Sequence, residues 1–155
     1  MINLLILTLI VLATSVVNTF IDNYLIKKKW GKVKNLNHWS RGSIRNLIFW
    51  TGYYFLFGFH LPSFTWVEFF KELGKYCLAL FYCNLLFNIV FDLLLNKLRN
   101  LPWYYDGKDA ITDKISNSFQ AISGENEEVN EFLAYIELWV KLFTVLILAT
   151  WILLI

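Results

Sequence analysis

Four polar side chains recur at every fourth residue of an otherwise apolar segment, and they are the best candidates for chemistry in this chain. This polar ladder consists of Asn84, Asn88, Asp92 and Asn96, and Arg99 follows it. Residues four apart share one face of a helix and advance by about 40° per step. An ionisable group or amide costs from about one to several kcal/mol in hydrocarbon, so we expect this face to meet another helix, a partner or a water-filled cavity.

Three chemical interpretations of the polar ladder are open. Its groups could form hydrogen bonds between helices, at about 0.6 to 2 kcal/mol each, with Asp92 neutralised by Arg99. Asp92 could instead titrate in a head-group, ion or proton site, or the face could contact another protein. Thr14, Asn18 and Asp22 form a second, smaller ladder in the first apolar segment. The first and third segments run in the same direction, so both ladders should end on one side of the membrane.

The composition is that of a membrane protein. Of 155 residues, 57% are hydrophobic and 19% are aromatic, and the mean hydropathy is +0.50. Apolar segments at about 2–21, 46–61, 76–95 and 138–155 predict an all-α bundle of four transmembrane helices in one domain, 1–155. A signal peptide is the alternative for the first segment. Its basic cluster follows the apolar run, however, which favours a retained helix.

A basic linker is predicted between residues 22 and 45. Its cationic residues are expected to contact anionic lipid head groups, at about 1 kcal/mol each near the surface. They are Lys27, Lys28, Lys29, Lys32, Lys34, Arg41 and Arg45. Short cytoplasmic loops are rich in Lys and Arg, so this linker should be inside the cell and both termini outside.

The polar segment 96–137 should also lie inside. Ile111, Ile115, Phe119 and Ile122 recur there at helical spacing and predict a short amphipathic helix over 109–123. This helix could lie on the membrane surface or pack on the bundle. On the other side of the membrane, Thr65 and Glu68 have the spacing of a capping box, which predicts the start of a helix.

No catalytic or metal-binding pattern is evident. The chain has no phosphate loop, nucleophile elbow or HExxH motif. Cys77 and Cys83 are expected to be buried thiols, and His38 and His60 are expected on opposite sides of the membrane. We therefore expect no enzymatic activity, no cofactor and no metal. The lysine run follows a transmembrane segment, so it indicates topology and lipid attraction rather than nucleic-acid binding.

The run ending in NHWSRGSIR and the later run FDLLLNKLRNLPWYYDGKDAITDK resemble short integral membrane proteins of bacteria and phages that have no assigned activity. The resemblance implies a bacterial inner membrane and assigns no functional residue. We expect a non-enzymatic accessory or structural subunit that docks to itself or to other membrane proteins through the polar ladder. The alternatives are a small ion- or solute-conducting oligomer with Asp92 as the titrating residue, and a phage lysis or superinfection protein.

Overall fold

The computed structural model describes residues 2–27, 34–58, 65–103 and 127–154. Four helices account for nearly all of them: α1 is Ile2–Lys27, α2 is Lys34–Phe57, α3 is Trp66–Leu98 and α4 is Glu127–Leu154. These ranges contain no strand, which confirms the predicted all-α class. The predicted amphipathic helix over 109–123 lies outside the described residues.

Three of these helices are long and apolar enough to cross a membrane. They are α1 over Ile2–Leu25, α3 over Trp66–Leu98 and α4 over Glu131–Leu154. Helix α2 does not meet this criterion, because its first half is rich in basic and amide side chains. The described helices are therefore compatible with an integral membrane protein, but the predicted count of four transmembrane helices is not confirmed.

The predicted linker over 22–45 is largely helical. Helix α1 continues to Lys27, and α2 begins at Lys34, so the predicted span from residue 46 forms the second half of a longer helix. Hydropathy marks only the part of a helix that suits lipid, whereas a polar segment satisfies its backbone hydrogen bonds equally well as a helix. Helix α2 ends at Phe57. Gly58 then adopts a φ of 72° and donates its N–H to the Tyr54 carbonyl at 2.9 Å.

Helix α3 begins at the predicted capping box. The Glu68 N–H donates to Thr65 Oγ1 at 3.4 Å, and the Thr65 hydroxyl donates to Glu68 Oε2 at 2.8 Å. The helix then continues without interruption through Gly74 to Leu98. Its 33 residues span roughly 50 Å, so it extends beyond a hydrocarbon core of about 30 Å. The predicted helix at 65–75 and the predicted third span are thus one helix.

The carboxyl end of α3 is closed by a Schellman motif. Asn100 adopts a left-handed φ of 55°, and its N–H donates to the Lys97 carbonyl at 3.2 Å. The N–H of Leu101 donates to the Asn96 carbonyl at 3.0 Å. Asparagine tolerates the left-handed region better than other residues with a side chain, so Asn100 ends the helix where glycine is usual.

Contacts between the helices set their directions. The Asn3 amide donates to the Leu56 carbonyl at 2.6 Å, so α1 and α2 are antiparallel. Phe49 lies edge-on to Phe87 and Tyr53 to Tyr76, so α2 and α3 are also antiparallel. It follows that α1 and α3 run parallel, as the sequence predicted.

Helix α4 runs back along α3. Trp103, just beyond α3, contacts Tyr135 near the start of α4 with ring centroids 4.6 Å apart. Leu148 and Ile152, near the other end of α4, belong to the same buried cluster as the core residues of α3. Helices α2 and α4 both contact α1 and α3 but not each other, so they flank the α1–α3 pair.

The buried face of α1 is a stripe of every fourth residue. It consists of Leu7, Val11, Ser15 and Thr19, each at most 1% exposed. The hydroxyls of Ser15 and Thr19 donate to carbonyls one turn earlier in α1, both at 2.8 Å. The hydroxyls of these two buried residues therefore have hydrogen-bond acceptors within α1. Their small side chains permit close helix packing.

We predict that Ser15→Leu lowers the stability of the bundle by about 1–3 kcal/mol, because a fully buried small position cannot accept a larger side chain without displacing its neighbours. Thermal unfolding in mild detergent measures the change. The control is Val17→Leu, at a position that is 56% exposed on the same helix, and it should leave the unfolding midpoint unchanged. Equal midpoints for the two variants would contradict the described packing of α1.

Candidate functional site

Three members of the polar ladder lie at the surface of the bundle. Asn84 and Asn88 are half-buried and Asp92 is exposed. The Asn84 amide donates to the Leu80 carbonyl of its own helix at 2.9 Å. Asn88 makes no hydrogen bond to any described residue. We call Asn84, Asn88 and Asp92 the outer polar face.

The outer polar face points away from the contacts that α3 makes with α2. Tyr76 and Phe87 carry those contacts, and the outer polar face is rotated by about 60–160° from them around the helix axis. The same sector contains Phe81, which is 55% exposed. Amide and carboxylate groups thus lie beside exposed apolar side chains on a helix that is apolar enough to cross a membrane.

Asn96 differs from the other members of the ladder. It is only 4% exposed, and its amide donates to the Trp103 carbonyl at 3.1 Å. Its own carbonyl accepts the N–H groups of Arg99 and Leu101. Arg99 is the C-cap residue of α3 and is half-buried. Asn96 therefore fixes the end of α3 and the chain beyond it, and the expectation that it belongs to the interaction face is not supported by its burial.

The second predicted ladder is satisfied within α1. The Thr14 hydroxyl donates to the Ile10 carbonyl at 2.7 Å, and the Asn18 amide donates to the Thr14 carbonyl at 2.8 Å. Asn18 and Asp22 are half-buried beside the stripe that ends at Thr19. Sequence reasoning overlooked the buried residues of that stripe, although their spacing of four was a usable signal. Because α1 and α3 are parallel, both ladders run to the same end of the bundle.

Arg45 is the one predicted lipid-contact residue whose side chain has described contacts. Its guanidinium carbon lies 4.2 Å from the centroid of the Phe87 ring, a cation–π arrangement. The Nε atom is buried, and no acceptor binds it among the described residues. Lys27 ends α1, and Lys34 and Arg41 belong to α2. Lys28, Lys29 and Lys32 lie outside the described residues.

The two cysteines are both free, but they differ in burial. Cys83 is buried as predicted, whereas Cys77 is exposed, so the expectation for Cys77 is wrong. The two residues are six apart, which places them on different faces of α3, and only the face of Cys83 packs in the core. Within the described ranges no group of His, Cys, Asp or Glu side chains is arranged to hold a metal ion.

Comparison with known proteins adds no family or fold assignment: no family model, curated protein or solved structure matches this chain.

We predict that Asn96→Ala lowers stability by about 1–3 kcal/mol, because it leaves the Trp103 carbonyl without its amide donor. Hydrogen exchange of residues 99–103 should accelerate at the same time. The control is Asn88→Ala, which removes an amide without a described hydrogen bond and should change stability by less than about 0.5 kcal/mol in the isolated protein. Unchanged exchange at 99–103 in Asn96→Ala would contradict the capping role.

Proposed function

We propose that this protein is a non-enzymatic integral membrane accessory or structural subunit, and that its outer polar face docks to a second copy or to another membrane protein. One observation carries the proposal. Asn84, Asn88 and Asp92 lie at the surface of α3, which is long and apolar enough to span a membrane. This surface combines groups that lipid solvates poorly with apolar groups that lipid solvates well.

The energetic basis is the absence of water in hydrocarbon. An amide without a hydrogen-bond partner costs several kcal/mol there, and Asn88 has none among the described residues. A neighbouring helix with amide, hydroxyl or basic side chains would remove much of this cost. Measured hydrogen bonds between membrane helices contribute about 0.6 to 2 kcal/mol each. Several such hydrogen bonds, together with apolar packing, can stabilise a specific contact between helices.

The topology in this proposal keeps four membrane-inserted helices, with both termini outside a bacterial inner membrane. Two features support it. Helix α2 packs antiparallel to α1 and α3, as a helix that crosses the membrane back between them must. The Lys and Arg count favours an inner location for the α1–α2 connection. Only the half of α2 from Asn46 to Phe57 is apolar enough to contact lipid.

We predict that the combined change Asn84→Leu and Asn88→Leu abolishes co-isolation of the partner. The two substitutions replace amides by apolar side chains, which lipid can cover as well as a partner can. The measurement is purification of the tagged protein in mild detergent, with sizing and identification of stoichiometric components by mass spectrometry. The isolated variant should unfold at the same temperature as the native chain, since neither amide bonds to another of the described helices.

The matched control is Thr150→Leu, which removes an exposed polar group from α4. It should retain every component. Loss of the partner in the control as well, or retention in the double variant, would contradict docking at this face. A homo-oligomer whose ion flux in liposomes changes with Asp92→Asn would contradict it in favour of a conducting role.

A further inference from the structure

Arg45 places a positive charge at the level of the apolar spans of α1 and α3. Its guanidinium lies over Phe87, near the middle of the apolar stretch 76–95 of α3. Helix α1 gives the same depth. Asn3 bonds to Leu56, and a Cβ on Gly52 would be 3.4 Å from Ile10 Cδ1 and 3.7 Å from Leu7 Cδ1. Arg45 in the antiparallel α2 is therefore level with about residues 14–17, inside the α1 span Ile2–Leu25.

No acidic side chain among the described residues is paired with this guanidinium. Its only described contact is the face of the Phe87 ring, and its buried Nε donor has no acceptor. Glu72 pairs with Lys75 and Glu137 pairs with Lys141, and neither pair involves Arg45. An arginine has five N–H donors and remains charged, so a site of this kind calls for an oxyanion.

The surroundings of Arg45 leave room for an anion and a route to it. Gly42 is one turn earlier on the same side of α2, and a Cβ built there would meet nothing within 4 Å. The first half of α2 is polar and lies alongside the later halves of α1 and α3. Lipid tails solvate a polar helix poorly, so we expect head groups and water to follow this half inward, with local thinning of the bilayer.

We propose that Arg45 binds the phosphate of a membrane phospholipid, drawn in beside the polar half of α2. The guanidinium can direct two parallel N–H donors at phosphate oxygens, while stacking on Phe87 fixes its plane. The site belongs to α2 and is separate from the outer polar face of α3. The proposed lipid binding therefore does not depend on the proposed docking function.

The test is native mass spectrometry of the full chain titrated with phosphatidylglycerol in detergent. The native protein should retain one phospholipid tightly. Arg45→Gln should weaken that binding by about tenfold, because a charge-assisted pair of hydrogen bonds is lost. Lys97→Gln removes an exposed charge at the carboxyl end of α3 and should leave the binding unchanged.

Arg45→Lys keeps the charge without the planar donor pair and should give intermediate binding, which preserves the test if Arg45→Gln does not fold. Equal lipid binding by all the variants would overturn the proposal. Equal weakening by Lys97→Gln would overturn it in favour of general charge attraction. Displacement of the lipid by equimolar inorganic phosphate would assign the site to free phosphate instead. The Asn84→Leu and Asn88→Leu variant should bind lipid normally, which separates this result from the docking test.

Discussion

The need to satisfy polar groups without water is the constraint on which this bundle depends. Several described side chains meet it inside the bundle. Ser15 and Thr19 bond within α1, and the hydroxyls of Thr8 and Tyr82 bond between α1 and α3 at 2.8 Å. Such bonds leave an apolar exterior that lipid can cover. The Asn88 amide and the Arg45 Nε have no such partner in the described part of the chain.

The parallel pair of α1 and α3 is the frame that positions both candidate sites. Small or hydroxyl-bearing residues on α1 let these helices pack closely, and the hydroxyl pair between Thr8 and Tyr82 fixes their register. Helices α2 and α4 then pack on opposite sides of the pair. The sector of α3 that includes Asn88 is only partly covered, and Phe81 and Asp92 are exposed there. The same packing of α2 brings Arg45 to Phe87.

Features encoded by local spacing could be predicted from the sequence. The Thr65 capping box and the parallel direction of the first and third spans are both confirmed. Features that depend on packing could not. Hydropathy did not mark the polar first half of α2 as helix, and spacing alone could not show that Cys77 is exposed. The role of Asn96 arises only because the chain reverses at Asn100.

Site-specific photo-crosslinking in intact membranes tests the docking account most directly. A photoreactive residue at position 88, on the outer polar face, is compared with one at position 146 of α4, where Leu146 is 63% exposed. The account predicts one discrete protein adduct from position 88 and only lipid adducts from position 146. Only lipid adducts at both positions would contradict it, because the outer polar face would then be covered by lipid alone.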